Sequence, residues 1–185
     1  MMGTASVALV RAAFDMIRQR YGPPREPQLQ LRHPSERDAM TLADGVVELI
    51  DGPGSAATAP RTLKPLDPVA ADGAARVWAV RADDVVHAPK HCAFGRARPA
   101  GEVKHTNLTA GGIAFTAGEL IFVDDATIVV NGDSGRYGTR NATEMQDVAI
   151  AFKQSGYTVY SMGYDLDANE PIKFSFVGAP APTLI

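Results

Sequence analysis

EVKHTNLTAGGIAFTAGELIFVDDATIVVNGDSGRYG occupies residues 102–138, and the fold depends on how it divides. EVKHTNL, GIAFT, ELIFVD and TIVVNG are strand candidates, short β-branched and apolar runs bounded by turn residues. Asp124-Asp125-Ala126 is the tightest hairpin turn in the run. Gly111-Gly112 and Gly118 flank the strand IAFTA, where glycine marks a bulge or the close approach of another backbone or a ligand.

The same texture extends on both sides. RVWAVRADDVVHA (76–88) reads as one strand, or as two joined at Ala82-Asp83-Asp84. Residues 90–100 are basic and carry Gly and Pro, so they form a loop. Downstream, a helix is expected over Ala142–Gln154, with Thr143 as its cap, Val148, Ala149 and Phe152 inward, and Ser155-Gly156 as its stop. YTVYSMG and KFSFVG then close the sheet.

Upstream, Leu9, Val10, Ala13, Phe14, Ile17 and Tyr21 recur at helical spacing within Thr4–Arg20, and Gly22-Pro23-Pro24 ends that helix. A second helix is expected from Ser35, turning Met40, Ala43, Val46, Val47 and Ile50 inward, until Asp51-Gly52-Pro53-Gly54 stops it. The expected organisation is an N-terminal helical segment at 1–52, a Pro/Gly/Ala-rich linker or long loop at 53–74, a β-rich functional domain at 75–178 and a mobile tail at 179–185. The class is α+β: a mainly antiparallel meander with one packed helix, preceded by two N-terminal helices.

The 185 residues carry 21 acidic and 18 basic side chains, a net charge of -3, which gives no general attraction to nucleic acid or anionic lipid. A single cysteine, Cys92, excludes an internal disulfide. No apolar run approaches the ~20 residues of a membrane span. The amphipathic N-terminus is not a signal-peptide core. The expected location is cytoplasmic, or outside the cell by a route without a cleavable signal.

Four places carry chemistry. His105, followed by Thr106 and Asn107, offers an imidazole for proton transfer beside groups that orient a substrate; its bland reading is a histidine bracing the sheet. Glu119 precedes the apolar run LIFV, where desolvation would suit it to acid/base work; its bland reading is an exposed strand-edge glutamate. The turn NGDSGRYG presents Asp133, Ser134, Arg136 and Tyr137. Arginine there can clamp phosphate or carboxylate and tyrosine can stack or donate, beyond what a turn requires. Cys92, near Lys90, Arg96 and Arg98, is a candidate thiol or an incidental loop cysteine. The histidines, His33, His87, His91 and His105, lack metal spacing, since Pro89 breaks the His87–His91 pair, and no nucleotide-cradling glycine loop is present.

KHTNLTAGGIAFTAGEL and NGDSGRYG, followed by a helix, resemble a module of bacterial polymorphic toxins and effectors. They are also similar to the central domain of the plant IQ-motif calmodulin-binding family. There the pattern runs His-Ser-Ser-Phe-Leu-x-Gly, then Ala-Ala-Gly, then Ser-Gly-His-Tyr. His105, Gly111, Ala117, Gly118, Ser134, Gly135 and Tyr137 fit it. Thr106-Asn107 replaces Ser-Ser, and Arg136 replaces a histidine with a side chain that cannot exchange protons near neutral pH. No IQ segment is present, so calmodulin binding is not implied. The likeness covers about residues 77–165 and implies a self-contained β-rich module of toxin-like settings.

The first functional expectation is therefore a small effector-type transferase or hydrolase acting on a phosphate- or nucleotide-bearing substrate. ADP-ribosyl transfer is its narrower form, with NAD as substrate and no bound cofactor. His105 and Glu119 are the expected catalytic residues, and Thr106, Asn107, Ser134, Arg136 and Tyr137 the substrate-binding ones. The alternatives are a binding module whose protein partner docks on the N-terminal helices, and a Cys92 thiol enzyme.

Overall fold

Alternating apolar residues build the centre of the molecule. A computed structural model describes residues 7–52, 68–174 and 178–185. Among the described residues the strands are β1 (Val47–Glu48), β2 (Arg76–Val80), β3 (Val85–Pro89), β4 (Thr116–Phe122), β5 (Thr127–Asn131), β6 (Thr158–Ser161), β7 (Tyr164–Asp165), β8 (Glu170–Pro171) and β9 (Thr183–Leu184). The helices are α1 (Val7–Tyr21), α2 (Pro68–Ala74), α3 (Ala93–Arg96), α4 (His105–Thr109) and α5 (Ala142–Gln154). Seven strands form one sheet in the order β1-β3-β2-β4-β5-β6-β9, and β7 pairs with β8 apart from it. The sheet is antiparallel except for β5 and β6, which run parallel because α5 connects them as a crossover. The fold is α+β.

The pleat sorts side chains onto two unlike faces. Trp78, Val80, Leu120, Phe122, Ile128 and Val130 meet the stripe Val10, Phe14 and Ile17 of α1 and the Val148, Phe152 stripe of α5. Phe152 receives the Phe14 ring edge-on at 5.1 Å and the Trp78 ring at 5.2 Å. Each such buried large side chain contributes about 1.5–3 kcal/mol. The opposite face carries Val77, Ala79 and Ala117 under short elements, α4 and irregular loops. Loops cover a sheet less completely than two long helices, and the cleft described below lies on this side.

Several local expectations are corrected. Residues 35–50 are not a second helix: Pro34–Arg37 and Leu42–Asp44 are single 3-10 turns, and β1 follows. Gly45, at φ 106°, sits where a helix would need negative φ. EVKHTNL is not a strand, so His105 is not mid-strand. Lys104 N–H donates to Asn107 Oδ1 at 2.9 Å, a local bond that turns the chain into α4 instead of leaving it for a ladder.

GIAFT and ELIFVD are not two strands, since β4 runs through Gly118 unbroken. A Cβ at Gly118 would stand 2.1 Å from the Asn131 carbonyl oxygen and 2.7 Å from Trp78 Cζ2, so this glycine answers to close packing. The cap of α5 is Asn141, whose Oδ1 accepts from Glu144 N–H at 2.9 Å, and not Thr143.

The stretch 53–74 ends in α2, while 53–67 lies outside the described residues. The expected KFSFVG strand falls partly on undescribed residues 175–177; its described start, Lys173–Phe174, is not strand. The sheet's last strand comes from the expected tail, where β9 pairs with β6 and Ile185 N–H donates to the Val159 carbonyl at 3.0 Å. After α1, Arg25 donates to the carbonyls of Phe115, Tyr137 and Gly138 at 3.1, 2.8 and 3.0 Å, binding the N-terminal segment to the sheet.

Candidate functional site

Strand register places the first two site groups. Glu119 on β4 stands directly opposite Asn131 on β5, so both occupy the face away from α1 and α5. Asn131 Oδ1 accepts from the backbone N–H of Glu119 and from that of Asp133, each at 3.0 Å. One buried amide thus fixes the backbone beneath two carboxylates. Glu119 is 6% exposed, so the reading of it as an exposed strand-edge glutamate is overturned.

Lys90, just after β3, reaches the same place. Its Nζ lies 2.9 Å from Glu119 Oε1 and 2.8 Å from Asp72 Oδ1 on α2, with Glu102 at 4.0 Å. Burial alone would lower the ammonium pKa, but Glu119 first and then Asp72 outweigh it and hold it above the ordinary lysine value. Asp72 also accepts from His91 Nε2 at 2.8 Å.

α4 brings His105 onto the other side of Glu119. Its Nε2 lies 2.8 Å from the Gly118 carbonyl. A carbonyl only accepts, so Nε2 carries the proton and Nδ1 keeps the lone pair. Burial depresses the imidazole pKa, ahead of the opposing effects of the Gly118 bond and Glu119. The ring is neutral near pH 7, with Nδ1 able to take a proton and no described residue bonded to it.

Lys90, Glu102, His105 and Glu119 line a cleft of about 860 Å³ together with Glu36, Asp133, Ser134 and Arg136. Asp133 is pushed up to about 6, chiefly by burial and then by the negative charge of Glu119, against the smaller pull of Lys173 and Lys90. Ser134 Oγ accepts from the N–H groups of Arg136 and Tyr137, both at 3.2 Å, leaving its O–H as a donor. Leu29, at φ 66° and 73% exposed, also lines the cleft.

Of the expected site residues, His105, Glu119, Ser134 and Arg136 share this cleft, whereas Thr106, Asn107 and Tyr137 are buried outside its lining. Asn107 Nδ2 donates to the carbonyls of Ser35 and Asp38 at 3.0 and 2.9 Å, fastening the segment that forms one wall. Tyr137 donates to the Gly112 carbonyl at 2.6 Å and meets Thr109 Oγ1 at 2.9 Å. The Thr106 side chain is fully buried, and its hydroxyl has no partner among the described residues. Arg136 is largely committed to the wall: its guanidinium holds the carbonyls of Gln28 and Gln30 at 3.3 and 3.0 Å and Glu36 Oε2 at 2.7 Å.

Cys92 is half-buried against the second apolar cluster and does not line the cleft. Of the α1 stripe, Val10, Ala13, Phe14 and Ile17 lie in the core and Leu9 stays exposed, and the expected second N-terminal helix is replaced by 3-10 turns and β1. Lys90, Asp72, Asn131 and Glu36 went unread as site residues. Single charged or amide residues in loops and strand ends carry no periodic signal, and their partners are far away in the chain.

Among the described residues no cluster of three or more His, Cys, Asp or Glu side chains suits a metal ion. No helix among them is long and apolar enough to cross a membrane. No protein-family profile, curated protein or solved structure matches the chain.

Proposed function

We propose that the protein is an acid/base enzyme, a transferase or hydrolase working in this cleft on a phosphate- or nucleotide-bearing substrate. One observation carries the reading: Asp133, pushed up to about 6, lines the same cleft as Glu119, which is ion-paired to Lys90, and as a neutral imidazole with a free lone pair. A carboxyl group raised toward neutrality beside a neutral imidazole can give and take a proton near pH 7. Asp133 retains a proton part of the time at pH 7 and serves as the acid. His105 Nδ1 serves as the base. Glu119 supplies fixed negative charge, and the Ser134 hydroxyl donates to the substrate. ADP-ribosyl transfer on NAD is the narrower form, and the toxin-like setting rests on the resemblance around His105 and Ser134–Tyr137.

Expression in a bacterial host tests this. Growth arrest that is relieved by Asp133→Asn and by His105→Gln, at unchanged protein level and with no large fall in melting temperature, is the expected result. Arrest that persists in both variants, or a host that grows normally, overturns the reading.

A further inference from the structure

The cations of this cleft are already spoken for. Lys90 is paired with Glu119 at 2.9 Å, Arg136 with Glu36 at 2.7 Å and Lys104 with Glu102. A phosphoryl group in flight spreads negative charge over its oxygens and needs free cations or a metal to receive it. The floor offers the reverse: three carboxylates, of Glu119, Asp72 and Glu102, share the ammonium groups of Lys90 and Lys104, and the carboxyl of Asp133 stands beside them, with one Asn131 amide holding the backbone of Glu119 and of Asp133. Such a floor stabilises developing positive charge, as on the anomeric carbon of a sugar losing its leaving group. The remaining cation in the lining is Arg32, exposed, with no ion pair among the described residues. It stands on the wall segment that Arg136 and Asn107 fasten.

We propose that the bond broken here is a glycosidic C–N or C–O bond, not a P–O bond, and that a phosphate on the same substrate is gripped by Arg32 as a handle. This rests on the acid/base reading above. The bond from the anomeric carbon to the leaving group breaks, and its electron pair departs with the leaving group. A basic leaving group takes a proton from Asp133. Water, or another hydroxyl, forms the new bond to the anomeric carbon and gives its proton to His105 Nδ1. Glu119 opposes the transient positive charge, and nothing is oxidised or reduced.

Two probes each contain both kinds of bond: NAD and adenosine 5′-monophosphate. The full chain is incubated with each, and the products are separated. Nicotinamide with ADP-ribose, or adenine with ribose 5-phosphate, is the expected outcome. Asp133→Asn then lowers kcat on adenosine 5′-monophosphate at least a hundredfold, Glu119→Gln lowers it on either probe, each with the native circular dichroism spectrum retained, and Arg32→Gln raises KM about tenfold with kcat within threefold. Nicotinamide mononucleotide with AMP, or adenosine with phosphate, formed by wild type and lost in Asp133→Asn, overturns the glycosidic inference while leaving the acid/base reading standing. If neither probe is cut and neither raises the melting temperature, the Arg32 handle is wrong and both readings fall.

Discussion

His105 Nε2 donates to the carbonyl of Gly118 at 2.8 Å, so the imidazole is tethered to the residue immediately before Glu119. The bond decides the tautomer and the ring's reach at once. His105→Gln places an amide N–H near the same carbonyl, whereas His105→Ala leaves that buried acceptor unmet. The glutamine variant is expected to stay within about 1 kcal/mol of wild type and the alanine variant to lose about 1–3 kcal/mol. Urea titration checks both. In wild type, nitrogen NMR shifts are expected to report the Nε2-protonated neutral ring, persisting to pH values below the ordinary histidine range, because burial depresses its pKa.

Asp133 gives the chain a pH signature. Its native pKa, about 6, is above that of an unfolded aspartate, so the native state holds the proton more tightly. The resulting stability is fully present below the unfolded pKa and is lost as pH rises through 6. Above pH 7 the half-buried charge, 4.0 Å from Lys173, costs at most about 2–3 kcal/mol. Asp133→Asn is therefore expected to be more stable than wild type by up to that amount at pH 8, with the gain fading between pH 6 and 4. Denaturant midpoints at pH 4, 6 and 8 measure it, and an equal shift at all three contradicts the assignment.

The Lys90–Glu119 pair is largely buried, with the two side chains 16% and 8% exposed. Lys90→Met strands the carboxylates of Glu119 and Asp72 without their shared cation and is expected to cost about 3 kcal/mol. Lys90→Met with Glu119→Gln is expected to recover part of that loss. A double-mutant cycle of unfolding free energies gives the coupling.

Gly118→Ala tests the sheet beneath the site. The added methyl meets a backbone carbonyl of β5 and the Trp78 ring, neither free to move without parting the strands. A loss of about 3 kcal/mol or more is expected, read as a large fall in melting temperature.

Tyr137 and Arg136 separate support from recognition. Tyr137→Phe removes the bonds to Gly112 and Thr109 and is expected to cost about 1–2 kcal/mol without changing ligand affinity. Arg136→Lys cannot reproduce the fork across Gln28, Gln30 and Glu36. Faster amide hydrogen exchange confined to residues 28–36 is the expected sign.

Much of the frame was legible in residue order. The short apolar runs RVWAV and TIVVN, the turn at Asp124–Ala126 and the stripe of α5 are local signals, and each became the expected element, while ELIFV became part of a longer strand. The misreadings arose where local signal competes with distant contacts. Gly118 looked like punctuation because its neighbours Trp78 and Asn131 lie on other strands. His105 looked like a strand residue because the Lys104–Asn107 bond that turns the chain into α4 leaves no periodic mark, and the contacts that hold α4 in place reach Ser35 and Asp38, far back in the chain.

Residue order alone determined the α+β class, the first and last long helices, and the presence of His105, Glu119, Ser134 and Arg136 as chemistry-bearing side chains. Only the tertiary structure decided that these four share a cleft, that Tyr137, Asn107 and Thr106 are buried behind it, and that Lys90 and Asp133 belong to it. The physical reason is range. Strand and helix formation depends on neighbours a few positions away, whereas the proton affinities and ion pairs of this site arise between side chains brought together from separate elements, and from the burial that their meeting creates.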